Sequence, residues 1–282
     1  MSVFARLAGV ALGAAAARAA YVTLVRRPPG GGSNWSRTNH RGEPVTLLAG
    51  PACVAGVATG VAVTPCVPPR VRMAVGLAAL GAGGLGAYDD LTPSGAAKGF
   101  KGHLGALARG EVTSGAVKLC GIGVTGLAAG ALVARRPADV LVCGAAVAGS
   151  ANLVNLFDLR PGRAIKVGLL AALPLLCVPG PAGAAAAAPL GAAVALLPDD
   201  LGERAMLGDA GANALGAALG VAVSARLPTR GRLAAVGVLA GLTAASEVVS
   251  FTRVIEAVAP LRWADGLGRR STSGRPGAVP AE

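Results

Sequence analysis

Charged residues are scarce in this chain. Asp, Glu, Lys and Arg make up 14% of its 282 residues, against about 25% in a soluble domain. Aromatics are sparser still, at 3%. No CxxC pair occurs, and the cysteine count is odd: Cys53, Cys66, Cys120, Cys143 and Cys177 are scattered in or beside apolar runs. That pattern suggests no disulfide framework or metal site, and the five read as small packing residues. The short alternating strands of a membrane barrel are missing too. What fills the chain is glycine, alanine and a 53% share of hydrophobic residues. They recur in runs of about 20 residues, the length that spans about 30 Å of hydrocarbon. Runs of this length are helices, because a helix satisfies its backbone polar groups within its own segment. The expected fold is therefore all-α, a polytopic membrane protein.

Nine spans are expected, at 3–25, 45–66, 71–88, 113–134, 138–157, 166–179, 182–198, 209–227 and 231–251. Residues 1–265 then form one transmembrane domain, and 266–282 a polar, Pro/Gly-rich, disordered tail. Met1 to Val25 has the small residues of a signal peptide, but Arg18 interrupts its apolar region, which favours a retained first helix. The connections alternate between two faces. Most Lys and Arg fall on the face holding 26–44, 89–112, 158–165, 199–208 and 252–282. The positive-inside rule assigns that face to the cytoplasm, with Arg135 and Arg136 opposing it locally. The formal charge of +12 suits loops that meet anionic lipid heads and anionic substrates, and nucleic acid is not the expected partner. Glycines spaced i, i+4 (Gly9/Gly13, Gly56/Gly60, Gly126/Gly130, Gly216/Gly220, Gly237/Gly241) suit close helix crossings in lipid. GIGVTG (121–126) also fits a dinucleotide fingerprint, but it lies inside a span and is assigned to helix packing.

The few acids are unevenly placed. Nearly all fall on or border the cytoplasmic face; Asp139 lies outside and Glu247 inside the ninth span. An ionisable group at the bilayer centre costs about 2.5–3.5 kcal/mol on insertion scales, and span ends are cheaper. Acids at several helix mouths on one face suggest a polar site at the membrane surface. Asp89 and Asp90 end one apolar run, as a charged boundary or as part of such a site. In ANLVNLFDLRPGRAIK (151–166), Asn152, Asn155 and Asp158 recur every three residues, roughly on one helix face. On an apolar helix they need partners, either in an inter-helix hydrogen-bond ladder or in a polar ligand, with Phe157 available to stack on a base. In MLGDAGANALGAALG (206–220), Asp209 opens a helix between glycines. It is either an N-cap or, since Gly208 and Gly211 permit close backbone approach, a neighbour of a ligand. Together with Lys98, Lys101 and Arg163, these acids suit a Mg²⁺-bound diphosphate. Mg²⁺ takes one or two carboxylates plus phosphate oxygens, and lysine supplies point charges to phosphate.

In order along the chain, this constellation resembles the polyprenyl-phosphate N-acetylhexosamine-1-phosphate transferase family. NWSRTNHRGEPVTLLAG (34–50) is similar to the family's first cytoplasmic loop, and YDD…KGFKGH (88–103) to its paired-aspartate and Lys-Gly segment. NLVNLFD (152–158) matches its NxxNxxD motif and LGDAGANALG (207–216) its Gly-Asp-x-Gly motif. SEVVSFTRVIEAVAPLRWADGLGR (246–269) looks like its late, sugar-contacting loop. The resemblance implies an integral-membrane, Mg²⁺-dependent transferase of the cell membrane. It would move sugar-1-phosphate from a UDP-N-acetylhexosamine to a polyprenyl phosphate and release UMP, in cell-wall or surface-glycan synthesis, and it allows a homodimer. It implies catalytic roles for Asp89, Asp90 and Asp209, with Asp209 and Asp89 at the metal. Substrate contacts would come from Lys98, His103, Asn152, Asn155, Phe157, Asp158 and Arg262. The chain departs from the family pattern at Leu159, Pro161 and Ala212, and has Arg262-Trp263-Ala264-Asp265 in place of a histidine cluster. Those departures argue against a muramoyl-pentapeptide donor. They also motivate an alternative, a non-catalytic scaffold or ligand sensor. A transporter is the further alternative, suggested by Glu247; acids gathered at one surface, without an internal repeat, oppose it.

Overall fold

The computed structural model describes residues 3–92, 102, 105–106, 108–178 and 180–270. Lys98, Lys101, His103 and most of the 266–282 tail lie outside the described residues. Within them the protein is all-α, apart from one short hairpin. The helices are α1 (Val3–Arg26), α2 (Ala49–Val63), α3 (Pro69–Leu91), α4 (Ser114–Val133), α5 (Pro137–Phe157) and α6 (Arg163–Cys177). They continue with α7 (Pro181–Leu201), α8 (Gly208–Arg226), α9 (Thr229–Ser246), α10 (Phe251–Ala257) and α11 (Ala259–Gly266). Local chemistry sets several starts. Proline occupies the first turn of α3, α5 and α7, where its missing N–H costs nothing. Thr113 caps α4, its side chain accepting from Ala116 N at 3.1 Å.

Five helices, α1, α3, α4, α5 and α7, are long and apolar enough to cross a membrane; α9 and α10, bent by 91°, make a sixth if counted as one span. The protein is membrane-embedded. Each of the nine expected spans holds a helix, but not each is a full crossing. The 15 residues of α2 and of α6 reach about 22 Å at 1.5 Å per residue. The expected 45–66 span starts late, at Ala49, because its first residues belong to the hairpin. There β1 (Ser36–Thr38) pairs antiparallel with β2 (Pro44–Thr46), Arg37 opposite Val45. Thr46 also binds the chain before α8, through Thr46 N to Arg204 O (3.2 Å) and Met206 N to Thr46 O (3.0 Å).

The centre of the bundle is α8, most of whose residues are buried among α2, α3, α5 and α7. Its small residues permit this. A Cβ on Gly216 would fall 2.3 Å from Ser150 O of α5, and one on Gly220 2.8 Å from Val147 Cα. Four of the five expected glycine pairs sit at such crossings; Gly237 and Gly241 on the peripheral α9 have open space beside them. GIGVTG is helical within α4, where Gly126 meets Gly144 of α5. All five cysteines are free; Cys53 and Cys143 are buried, whereas Cys66, Cys120 and Cys177 are exposed, so packing accounts for only two. Glu247 is exposed and ends α9 at the bend, not inside a crossing.

Candidate functional site: an acid–lysine cluster beside an acidic cavity

Helix α3 runs through Asp89 and Asp90, so the pair lies in its last turn. Neighbours on a helix point about 100° apart, at 3.6 residues per turn, and the two aspartates meet different partners. Asp89 Oδ2 is 2.6 Å from Lys118 Nζ, and the same ammonium donates to Asp209 Oδ2. The three side chains are 20%, 19% and 27% exposed, so a ligand can reach them. Asp90 turns to the start of α8. Its Oδ1 accepts from Asp209 N at 3.1 Å and its Oδ2 from Ala210 N at 3.0 Å.

Asp90 therefore caps α8 from another helix. Leu207 holds the N-cap position and caps nothing. The N-cap alternative for Asp209 does not hold: its carboxylate is turned to Lys118, not to its own backbone. The flanking glycines serve the packing of this junction. Gly208 has φ +59°, and a Cβ there would lie 2.9 Å from Asp90 Oδ2; one on Gly211 would lie 2.9 Å from Gly50 Cα. Gly86 brings α3 against the backbone of Asp209, where a Cβ would fall 2.3 Å from its carbonyl oxygen. The Arg37 guanidinium donates to the Asp90 carbonyl and ties the hairpin to the same spot.

Next to the cluster is a cavity of about 190 Å³. The hairpin contributes Thr38, Asn39 and His40; the chain after α5 contributes Asp158 to Pro161; the end of α7 and the turn beyond it contribute Asp200 and Glu203. Asp158 follows the last turn of α5 and accepts from the Gly208 backbone N–H, which joins cavity to cluster. Burial, then the charges of Asp200, Asp209 and Asp90, push the Asp158 carboxyl well above the usual carboxylate range. Asp158 and Asp200 each keep one buried oxygen, Oδ2, without a partner among the described residues. Glu203 is 5% exposed and holds a left-handed φ of 55°. It accepts from Asn39 Nδ2 at 2.8 Å and pairs with Arg41 Nε at 2.9 Å, pinning the hairpin over the cavity. Burial lowers the His40 pKa, against the opposing pull of Glu203.

The other expected site residues divide. Asn152 Nδ2 donates to Thr243 Oγ1 of α9 at 3.1 Å, which is the inter-helix ladder reading. Asn155 is half-buried one turn before Asp158. Phe157 stacks on Phe251, centroids 5.1 Å apart and rings 13° from parallel, so one of its faces is already covered. Arg262 is exposed and donates to Glu256 O at 3.1 Å, away from the cluster. Asp265 is a structural anchor: Arg163 grips it bidentately, at 2.9 Å through both Nε and Nη2, and Arg269 adds 2.7 Å. Burial opposes ionisation of Asp265, but the hydrogen bonds and charge of Arg163, then the charges of Arg269 and Lys166, hold it below the usual carboxylate range. Arg269 also donates to Pro161 O at 2.9 Å, so this clamp fastens α11 to the cavity wall.

Lys118, Asp200 and Glu203 were not expected at the site. Lys118 carried a signal: a lysine five residues into a 20-residue apolar helix is costly in lipid without a carboxylate partner. No protein-family model matches the chain, and no curated protein matches it significantly.

The donor set fits Mg²⁺ in part. Two carboxylates, Asp89 and Asp209, converge on one cationic group, the Lys118 ammonium. A hard oxygen pair of this kind suits a Mg²⁺ that takes its remaining ligands from phosphate and water. Among the described residues no group of three or more His, Cys, Asp or Glu is arranged to hold a metal alone.

Proposed function

We propose that this protein is a membrane transferase that moves sugar-1-phosphate from a UDP-N-acetylhexosamine to a polyprenyl phosphate, in cell-wall or surface-glycan synthesis. The observation that carries the reading is the convergence of Asp89 and Asp209 on Lys118 at one end of an apolar bundle. A lipid acceptor needs apolar walls and a charged donor needs a polar mouth, and a helix end offers both. A phosphate oxygen of the acceptor attacks the β-phosphorus of the donor; the bond from that phosphorus to the bridging oxygen breaks, and UMP departs with the electron pair. A phosphate monoester has a second pKa near 6 and is mostly dianionic at neutral pH, so no side chain has to remove a proton from the nucleophile. Asp89 and Asp209 would hold Mg²⁺, which when bound would neutralise phosphate charge. Lys118 supplies a second positive charge beside the transferring group, the main need in phosphoryl transfer. Asp90 sets the position of Asp209 through its backbone. The adjacent cavity receives the nucleoside, with Asp158 accepting from the base. The active face is cytoplasmic in this reading, where nucleotide sugars are made.

Purified protein is expected to release UMP from UDP-N-acetylglucosamine only when both undecaprenyl phosphate and Mg²⁺ are present. Asp209→Asn is expected to lower that rate at least about 100-fold, the scale of losing a preorganised electrostatic group. Release without lipid, or an unimpaired Asp209→Asn, contradicts the assignment. A second reading, nucleotide-sugar binding without turnover, draws on Arg262 and Asp265: the expected late sugar loop turns one to its own backbone and locks the other in a clamp.

A further inference from the structure

We infer that Asp200 is a second ligand-binding carboxylate of the cavity, accepting from a ribose hydroxyl while Asp158 accepts from the base; this rests on the proposed nucleotide-sugar reading. Asp200 is 2% exposed, lines the cavity, and keeps Oδ2 without a partner among the described residues. Its carboxylate already accepts from the Gly162 backbone N–H. The oxygen left over is therefore not idle for want of a well-formed surrounding. A buried carboxylate oxygen without a hydrogen bond costs free energy, and a ligand that donates to it recovers that cost.

Two features narrow the ligand. Three carboxylates, Asp158, Asp200 and Glu203, lie in the cavity lining beside Arg160, His40 and apolar side chains such as Val45 and Met206, and Glu203 is already taken by Asn39 and Arg41. Asp158 and Asp200 each offer the occupant one oxygen that is unpartnered among the described residues. A uracil ring linked at N1 has a single N–H donor, so it can donate to only one of them. The ribose supplies what is missing, two vicinal hydroxyls. Size agrees. At about 190 Å³ the cavity is smaller than the roughly 300–1,000 Å³ of drug-sized pockets. It takes ring-sized groups, and the diphosphate must lie outside it, toward Lys118.

Asp200 brings its carboxylate to the cavity wall from the last turn of α7.

The test compares UMP with 2′,3′-dideoxy-UMP, binding to the purified full-length protein in detergent. Wild type is expected to prefer UMP by about tenfold or more, the effect of one hydrogen bond to a charged group. Asp200→Asn, nearly isosteric, is expected to bind the two within about twofold of each other. Asp158→Asn is expected to weaken both and keep the preference. Asp200→Ser repeats the measurement should the first variant fold poorly, each variant's fold being checked by thermal unfolding. A folded Asp200 variant that still prefers UMP tenfold overturns this inference alone. Wild type that binds neither nucleotide overturns the nucleotide-sugar reading, and this inference with it.

Discussion

Asp90→Ala is expected to lose both stability and activity, whereas Asp89→Asn loses activity alone. The two aspartates are adjacent in sequence and opposite in use. Asp90 accepts from two backbone N–H groups at the start of α8, those of Asp209 and Ala210, while Asp158 accepts from the Gly208 N–H beside them. Removing the carboxylate leaves both donors unpaired where α3 and α8 touch. At about 1–3 kcal/mol for each of the two unsatisfied buried groups, the loss is roughly 2–6 kcal/mol. That is a large share of the about 5–15 kcal/mol that holds a typical domain. It also frees the Asp209 backbone, so activity falls with stability. Asp89 makes its ion pair at a surface one fifth exposed, where Asn keeps the shape and the fold. Its loss is expected to cost at least about 100-fold in rate, with unfolding shifted by less than about 1 kcal/mol. Thermal unfolding and UMP release, measured on both variants, separate the roles. Wild-type unfolding for Asp90→Ala would show that Asp90 is not the cap of α8.

Lys118→Met has the other large effect. The ammonium is the cation on which Asp89 and Asp209 converge. Methionine keeps the length and apolar stem but leaves two carboxylates facing one another. Breaking a fully buried pair costs about 3–5 kcal/mol; partial exposure here brings that to below about 3 kcal/mol. Rate is expected to fall by roughly 100- to 1,000-fold, as when one preorganised donor to a transition state is deleted. A second signature separates this from a simple loss of fold. With the ammonium gone, a divalent cation becomes the natural partner of the two acids, so Mg²⁺ should raise the unfolding temperature of Lys118→Met more than that of wild type. Equal Mg²⁺ shifts in the two proteins would mean that Asp89 and Asp209 do not form a cation site.

Much of the fold was legible because length and apolarity decide it. All nine expected spans contain a helix, and the small-residue pairs do mark crossings where a neighbour lies within reach. The failures have local causes. The 45–66 span lost its first residues to a hairpin, since Thr46 found backbone partners near Arg204 that hydropathy does not register. For Asp209 the sequence left an N-cap and a ligand neighbour both open, and the cap came from Asp90, distant in sequence and adjacent in space. Lys118 carried a signal, a lone cation in an apolar helix, but its partners Asp89 and Asp209 lie far from it in sequence. Asp200 and Glu203 were legible only as two of the acids gathered on one face, because nothing in a linear sequence says that the end of α7, the end of α5 and the hairpin meet at one cavity. Arg262, expected as a substrate contact by its place in the late loop, is exposed and donates to Glu256 O.

The most direct measurement follows the two phosphates of the donor separately. UDP-N-acetylglucosamine labelled at the β-phosphate is incubated with purified protein, Mg²⁺ and undecaprenyl phosphate, beside the same donor labelled at the α-phosphate. The transferase reading predicts that the β label moves to the organic-soluble lipid and the α label stays in water as UMP. A β label left in water as UDP while the sugar reaches the lipid would mean glycosyl transfer and contradict it. So would a folded protein that binds the donor and moves neither label across a panel of UDP-sugars, which would leave binding without turnover as its function.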